Sequence, residues 1–113
     1  MQAKYRLEFS VGIGEDKNHV PLEPETVSWG FHNAMLHLTQ HFGGCTVLEG
    51  QGSYTAQDGR IVWEKSVTFI TYADADKALN EAFLRGVQHA IRDFYKQESC
   101  LLVRLPAFVS FGL

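Results

Sequence analysis

The stretch Gly43-Gly44-Cys45-Thr46-Val47-Leu48-Glu49-Gly50-Gln51-Gly52-Ser53-Tyr54-Thr55, then Gln57-Asp58-Gly59, then Arg60-Ile61-Val62-Trp63-Glu64-Lys65-Ser66-Val67-Thr68-Phe69-Ile70-Thr71-Tyr72 reads as one β-hairpin. Both arms are rich in Val, Ile, Thr and aromatic residues, which suit a pleated surface. Asp58-Gly59 supplies the positive φ of a tight turn. The first arm carries two interior glycines, Gly50 and Gly52, of the kind that mark a close backbone approach. A three-residue turn with Gly59 in the left-handed conformation sets Ala56 opposite Arg60, Tyr54 opposite Val62 and Gly52 opposite Glu64. Tyr54 and Glu64 are then diagonal neighbours on one face. A two-residue turn would put them on opposite faces, because a slip of one residue flips every side chain. The longer turn is preferred because it gathers Trp63, Val67 and Phe69 on the other face as a core set.

Working outward, residues 4 to 13 alternate: Tyr5, Leu7, Phe9, Val11 and Ile13 one way, Arg6, Glu8 and Ser10 the other, a half-buried strand. Residues 15 to 24 form a long polar loop, a candidate lid or pocket wall. Pro24 to Phe42 reads as a helix with Val27, Phe31, Ala34, Leu38 and Phe42 as its buried stripe, closed by Gly43-Gly44. After the hairpin, one long helix is expected from Asp74 to Lys96, with Asp74 or Asp76 as N-cap. Its apolar face is read as Ala75, Ala78, Leu79, Ala82, Phe83, Gly86, Ala90, Ile91 and Phe94. Residues 99 to 105 form the last strand, with Leu101, Val103 and Leu105 on one side and Cys100, Leu102 and Arg104 on the other. The apolar tail, Ala107 to Leu113, pairs along an edge or reaches a neighbouring subunit.

The order β-α-β-β-α-β is the split βαβ, ferredoxin-like plan of the α+β class. A single domain spanning 1–113 is expected, a sandwich in which two helices cover one face of a four-stranded antiparallel sheet. The other face would carry Arg6, Glu8, Ser10, Tyr54, Glu64, Ser66, Thr68, Cys100 and Arg104, mixed with Leu48, Val62, Ile70 and Leu102. That mixture reads as an oligomer interface with a site built into it; a partly solvated face on a monomer is the plainer alternative.

Composition narrows the function. A net charge of −3 with ten scattered Lys and Arg argues against nucleic acid. No apolar run approaches a membrane span, and no secretion signal is evident. Two cysteines in that setting read as free thiols of a cytosolic protein. Each begins a strand at an opposite edge of the expected sheet, too far apart to bridge. His37 and His41 share a helix face, but no acidic residue or cysteine follows at ligand spacing, so no metal is assigned. Gly50-Gln51-Gly52 is no phosphate loop, since neither a lysine nor a helix follows it. Glu64 stands out, because a mid-strand carboxylate among apolar residues must meet solvent, a cation or a ligand. An ion pair with Arg6 or Arg104 is one account, and a cationic ligand group is the other.

The stretch around Tyr54, the strand Trp63-Glu64-Lys65-Ser66-Val67-Thr68, the Asp74 to Ala82 helix start and the closing Lys96-Gln97-Glu98-Ser99-Cys100-Leu101-Leu102-Val103 resemble the small phage enzymes that degrade S-adenosylmethionine. The resemblance covers roughly residues 50 to 104. It implies a homotrimer with the active site between subunits, Glu64 and Tyr54 as the catalytic pair, and Gln51, Gly52 and Ser66 as substrate-binding residues. It implies no cofactor. It implies a lyase or hydrolase acting in the host cytoplasm, where loss of S-adenosylmethionine would starve methylation and restriction. Phe42-Gly43-Gly44-Cys45-Thr46-Val47 through Gly52 resembles a strand of PII-like signalling trimers, which implies instead a nucleotide-binding regulator without catalysis. This chain lacks the long loop those proteins place between their middle strands.

Overall fold

The computed structural model describes residues 1–112. In chain order it contains β1 (Gln2–Gly12), α1 (Pro24–Phe42), β2 (Thr46–Thr55), β3 (Ile61–Ala73), α2 (Ala75–Ala78), α3 (Glu81–Phe94) and β4 (Leu101–Val109). The strands form one antiparallel sheet in the order β2-β3-β1-β4, with the helices on one side. The fold is α+β and ferredoxin-like.

Alternation places Leu7, Phe9 and Val11 of β1 beside Val67 and Phe69 of β3 on the covered face. They meet Ala34 and Leu38 of α1 and Leu84, Val87 and Ile91 of α3. Burying each of the larger side chains contributes roughly 1.5–3 kcal/mol. Gly30 lets α1 approach closely: a Cβ there would stand 2.8 Å from Cε1 of the buried Tyr95. α1 ends at Gly43, whose φ of 88° permits its N–H to reach the Thr39 carbonyl at 2.8 Å.

The hairpin has the longer turn. Gly59 sits at φ 87°, Ala56 N–H donates to the Arg60 carbonyl, and Gly52 pairs with Glu64 and Tyr54 with Val62. Val67 and Phe69 are core, but Trp63 is 75% exposed rather than part of the core set. The reason is length. β1 leaves β3 at the pair Gly12–Ser66, so the segments before Ser66 and beyond Gly50 form a two-stranded ribbon with no third strand beside it. The ribbon lengthens the molecule to 46 Å, against 30 and 28 Å in the other directions.

Three further expectations are corrected. Phe31 is exposed, so the buried stripe of α1 is narrower and includes Gly30 instead. The second helix is broken in two. Asn80 accepts a hydrogen bond from Phe83 N–H and starts α3 afresh, resetting the helical phase. Leu84 and Val87 therefore face the core, while Leu79, Ala82 and Gly86 are exposed.

The parity of β4 is also reversed. Leu102 pairs with Phe9 and Arg104 with Leu7, so Cys100, Leu102 and Arg104 lie on the helix side, and Leu101, Val103 and Leu105 on the uncovered face. Four apolar residues in a row, Cys100 to Val103, carry no alternation from which to tell the faces apart. Ala107 to Val109 extend β4 along β1, with Val109 opposite Gln2, and Leu113 lies outside the described residues. Among the described residues, no helix is long and apolar enough to cross a membrane.

Candidate functional site

The uncovered face has two zones. Near the centre its polar groups are already paired: Ser10 Oγ and Thr68 Oγ1 lie 2.7 Å apart, Arg6 Nε donates to Glu8 Oε2 at 2.7 Å, and Arg6 Nη1 donates to the Tyr72 hydroxyl at 3.4 Å. Toward the ribbon the pairing stops. Glu64, Ser66 and Tyr54 share the uncovered face with the glycines Gly50 and Gly52, which oppose Ser66 and Glu64. Without side chains at those two positions, the backbone of β2 lies open beside the carboxylate.

Neither expected ion-pair partner reaches Glu64. Arg6 is engaged by Glu8, and it pairs with Tyr72, eight residues or roughly 25 Å along β3. Arg104 lies on the opposite face, donating to the Ala78 carbonyl at 2.8 Å and to Glu81 at 3.0 Å. The Glu64 carboxylate instead folds over Gly12, its Oε2 standing 3.1 Å from where a Cβ of Gly12 would be.

Gln51 and Lys65 face each other on the helix side of the ribbon, so the Gln51 side chain points away from Glu64. Shallow depressions lie around this ribbon, bordered by Ile13, Glu49, Gln51, Trp63 and Lys65 together with Gly50, Glu64 and Ser66. The loop after β1 is ordered against the sheet end. Ile13 N–H donates to the Lys65 carbonyl, Leu22 N–H to Gly14 and Lys17 N–H to Lys96. Gln97 ties that loop to the end of α3, through the carbonyls of Glu15 and Tyr95. Its Oε1 comes within 3.3 Å of the same point above Gly12. Periodicity and motif spacing do not single out Gln97, because its link to Glu15 spans 82 residues.

The remaining candidates separate from this place. Cys45 and Cys100 are free thiols, and burial pushes them up to about 11 and about 12, so neither is a ready thiolate. His37 and His41 stack edge to face at 4.6 Å on the helix layer. Among the described residues, no group of three or more His, Cys, Asp or Glu could hold a metal.

The family model described as a protein of unknown function, DUF3574, matches residues 30–111. No curated protein matches the sequence. Among solved structures, a phage SAM lyase in complex with S-methyl-5'-thioadenosine superimposes with a TM-score of 0.62 at 18% identity, over 90% of this chain and 80% of that one. The same enzyme class in its apo state gives 0.56 at 21% identity, over 92% and 81%. The periplasmic divalent cation tolerance protein CutA from Archaeoglobus fulgidus gives 0.58 at 6% identity, over 98% and 89%. At these identities the likeness is one of fold.

Proposed function

The chain belongs to the DUF3574 family, and for it we propose an S-adenosylmethionine lyase that releases 5'-methylthioadenosine and homoserine lactone. The observation that carries the reading is the hairpin register. It sets Glu64 and Tyr54 as diagonal neighbours on the uncovered face, beside two glycines, with no cation among the described residues paired to the carboxylate. The fold shared with a phage SAM lyase supports it.

The chemistry needs little from the protein. The substrate's own carboxylate attacks its γ-carbon, a C–O bond forms, and the C–S bond breaks with its electrons passing to sulfur. The sulfonium becomes a neutral thioether, the ring closes as the lactone, and no proton moves. Charge is lost at both reacting groups in the transition state, so a site shielded from water favours it. Glu64 holds the substrate's ammonium so that the methionine chain stays curled in near-attack geometry, an orientation effect worth several kcal/mol. Tyr54 hydrogen-bonds nearby, and Ser66 with the backbone of Gln51 and Gly52 borders the substrate. The shielding comes from neighbouring copies in a homotrimer, which cover the apolar residues Leu48, Leu101 and Leu105 left exposed on this face.

Incubation of the purified protein with S-adenosylmethionine tests this directly. Methylthioadenosine with homoserine lactone as the first partner product is expected. Homoserine without the lactone would mean that water attacks, with Glu64 as general base. Glu64→Gln should keep the fold and lower turnover about a thousandfold, roughly 4 kcal/mol of barrier. Unchanged turnover would remove Glu64 from the reaction.

A second reading, a nucleotide-binding regulator without catalysis, draws on the depressions bordered by Trp63 and Lys65, an indole to stack a base and an ammonium to meet a phosphate. It predicts saturable binding of an adenine nucleotide with no product.

A further inference from the structure

Gln97 lies just beyond α3, in the turn that leads to β4. Its amide nitrogen donates to two backbone carbonyls, Glu15 at 2.6 Å and Tyr95 at 2.9 Å. Only the NH2 end of an amide can serve two carbonyls, so the chemistry fixes which end is which. The other end, Oε1, is turned over Gly12, 3.3 Å from the position a Cβ would take, and Glu64 Oε2 stands 3.1 Å from that same position. A carboxylate oxygen and an amide oxygen therefore converge on Gly12 at the mouth of the uncovered face. Among the described residues, no donor serves either oxygen there.

Two acceptors that converge without a protein donor between them are both served by one group with several N–H bonds and positive charge. A hard metal ion is a poor fit, since it takes six or more oxygens and the described residues hold no group of metal-ligating side chains. A primary ammonium fits, with three donors and no acceptor. We propose that Glu64 and Gln97 together form a cradle for the primary ammonium of an amino-acid ligand, with Gln97 as the residue that makes the site demand a free amine. This rests on the reading of the ligand as S-adenosylmethionine. The absence of a side chain at Gly12 lets both oxygens approach its backbone, and the Glu15 carbonyl makes the loop after β1 part of the site's framework. Gln97 is the stiffer half of the cradle, because its donor end is held at two points. Glu64, on the two-stranded ribbon, has no such ties among the described residues.

Calorimetry with two probes tests the cradle. S-adenosylhomocysteine has a neutral sulfur, so its ammonium is the positive charge it brings to the site; its desamino analogue lacks that group. The wild-type protein is expected to prefer the amine by about tenfold, the scale of one charged hydrogen bond. Gln97→Leu should lower that preference several-fold while leaving the desamino analogue within about twofold. A purely structural role for Gln97 would weaken both probes alike and would overturn the cradle. So would an unchanged preference in the variant, or no binding of either probe by the wild type. Gly12→Ala is the second variant, should Gln97→Leu disturb the loop. It puts a methyl group 3.1 Å from the Glu64 oxygen and 3.3 Å from the Gln97 oxygen, close enough to push both aside, and it should abolish the preference. Turnover of S-adenosylmethionine is followed in parallel. Turnover with a Gln97-independent preference retains the lyase and removes the cradle. A Gln97-dependent preference without turnover retains the cradle and removes the lyase.

Discussion

The two halves of β3 behave as different materials. From Ser66 to Ile70 the strand is held between β1 and β2, Thr71 to Ala73 continue beside β1, and Val67, Phe69, Thr71 and Ala73 are buried under the helices. From Ile61 to Lys65 the same strand has only β2 beside it, and Ile61 and Trp63 are exposed on the side where the core set should be. The alternating pattern runs through both halves unchanged. What differs is the third strand and the helix layer, which end near Gly12. One half anchors and the other displays, and Glu64 sits just past the boundary.

Substitutions on the covered side of each half give the largest test of this contrast. Phe69→Ala should cost about 3–5 kcal/mol in denaturant unfolding, from the lost burial and the cavity left among Leu7, Phe9 and Tyr95. Trp63→Ala should stay within about 0.5 kcal/mol at concentrations where the chain is monomeric. If Trp63→Ala also proves costly there, the ribbon packs on something within its own chain and the contrast is lost. If it becomes costly only as concentration rises, neighbouring copies supply the missing cover.

A smaller effect probes how tightly the helix layer sits over the anchored half. Gly30→Ala would drive a methyl group against the Tyr95 ring, 2.8 Å from Cε1 and 3.0 Å from Cδ1, and within 3.1 Å of the Phe94 carbonyl. Alanine is the better helix former, yet the clash should dominate, destabilising by roughly 1–3 kcal/mol. A stabilised variant would show that α1 can shift away from Tyr95.

How far the sequence could be read follows the same boundary. The hairpin register was legible because Asp58-Gly59 marks the turn and the core set Val67 and Phe69 chooses its length, although Trp63, counted with them, is exposed. The face of β4 was not, because Cys100 to Val103 are apolar without a break. The break at Asn80 was hidden inside a run of helix formers, and its cap is a local hydrogen bond that periodicity does not register. Glu64 and Tyr54 could be set on one face once the core set had chosen the turn length. Gln97 could not be found, because what places it is a pair of long-range and backbone contacts rather than a pattern. The Asn80 cap yields its own test: Asn80→Ala should cost about 1 kcal/mol. Loss of the cap should speed hydrogen exchange in the first turn of α3 and leave the ribbon unaffected.

The smallest effect belongs to the helix layer far from the ribbon. His37 packs edge to face against His41 at 4.6 Å and Phe94 at 6.2 Å, with a buried Nε2 that lacks a partner. Burial, and secondarily the neighbouring His41, hold its pKa below the ordinary value of 6.5. The unfolded chain therefore binds a proton more readily than the folded one, and stability rises with pH through that interval. The full stability is present above pH 6.5 and is lost as the pH falls through the lower, folded value. Because His37 is only partly buried, solvent screening keeps the effect small. Thermal unfolding between pH 7 and pH 5 should show wild type losing slightly more stability than His37→Gln. Equal slopes would mean that the two rings move apart on protonation, and that the helix layer is looser here than it is over Tyr95.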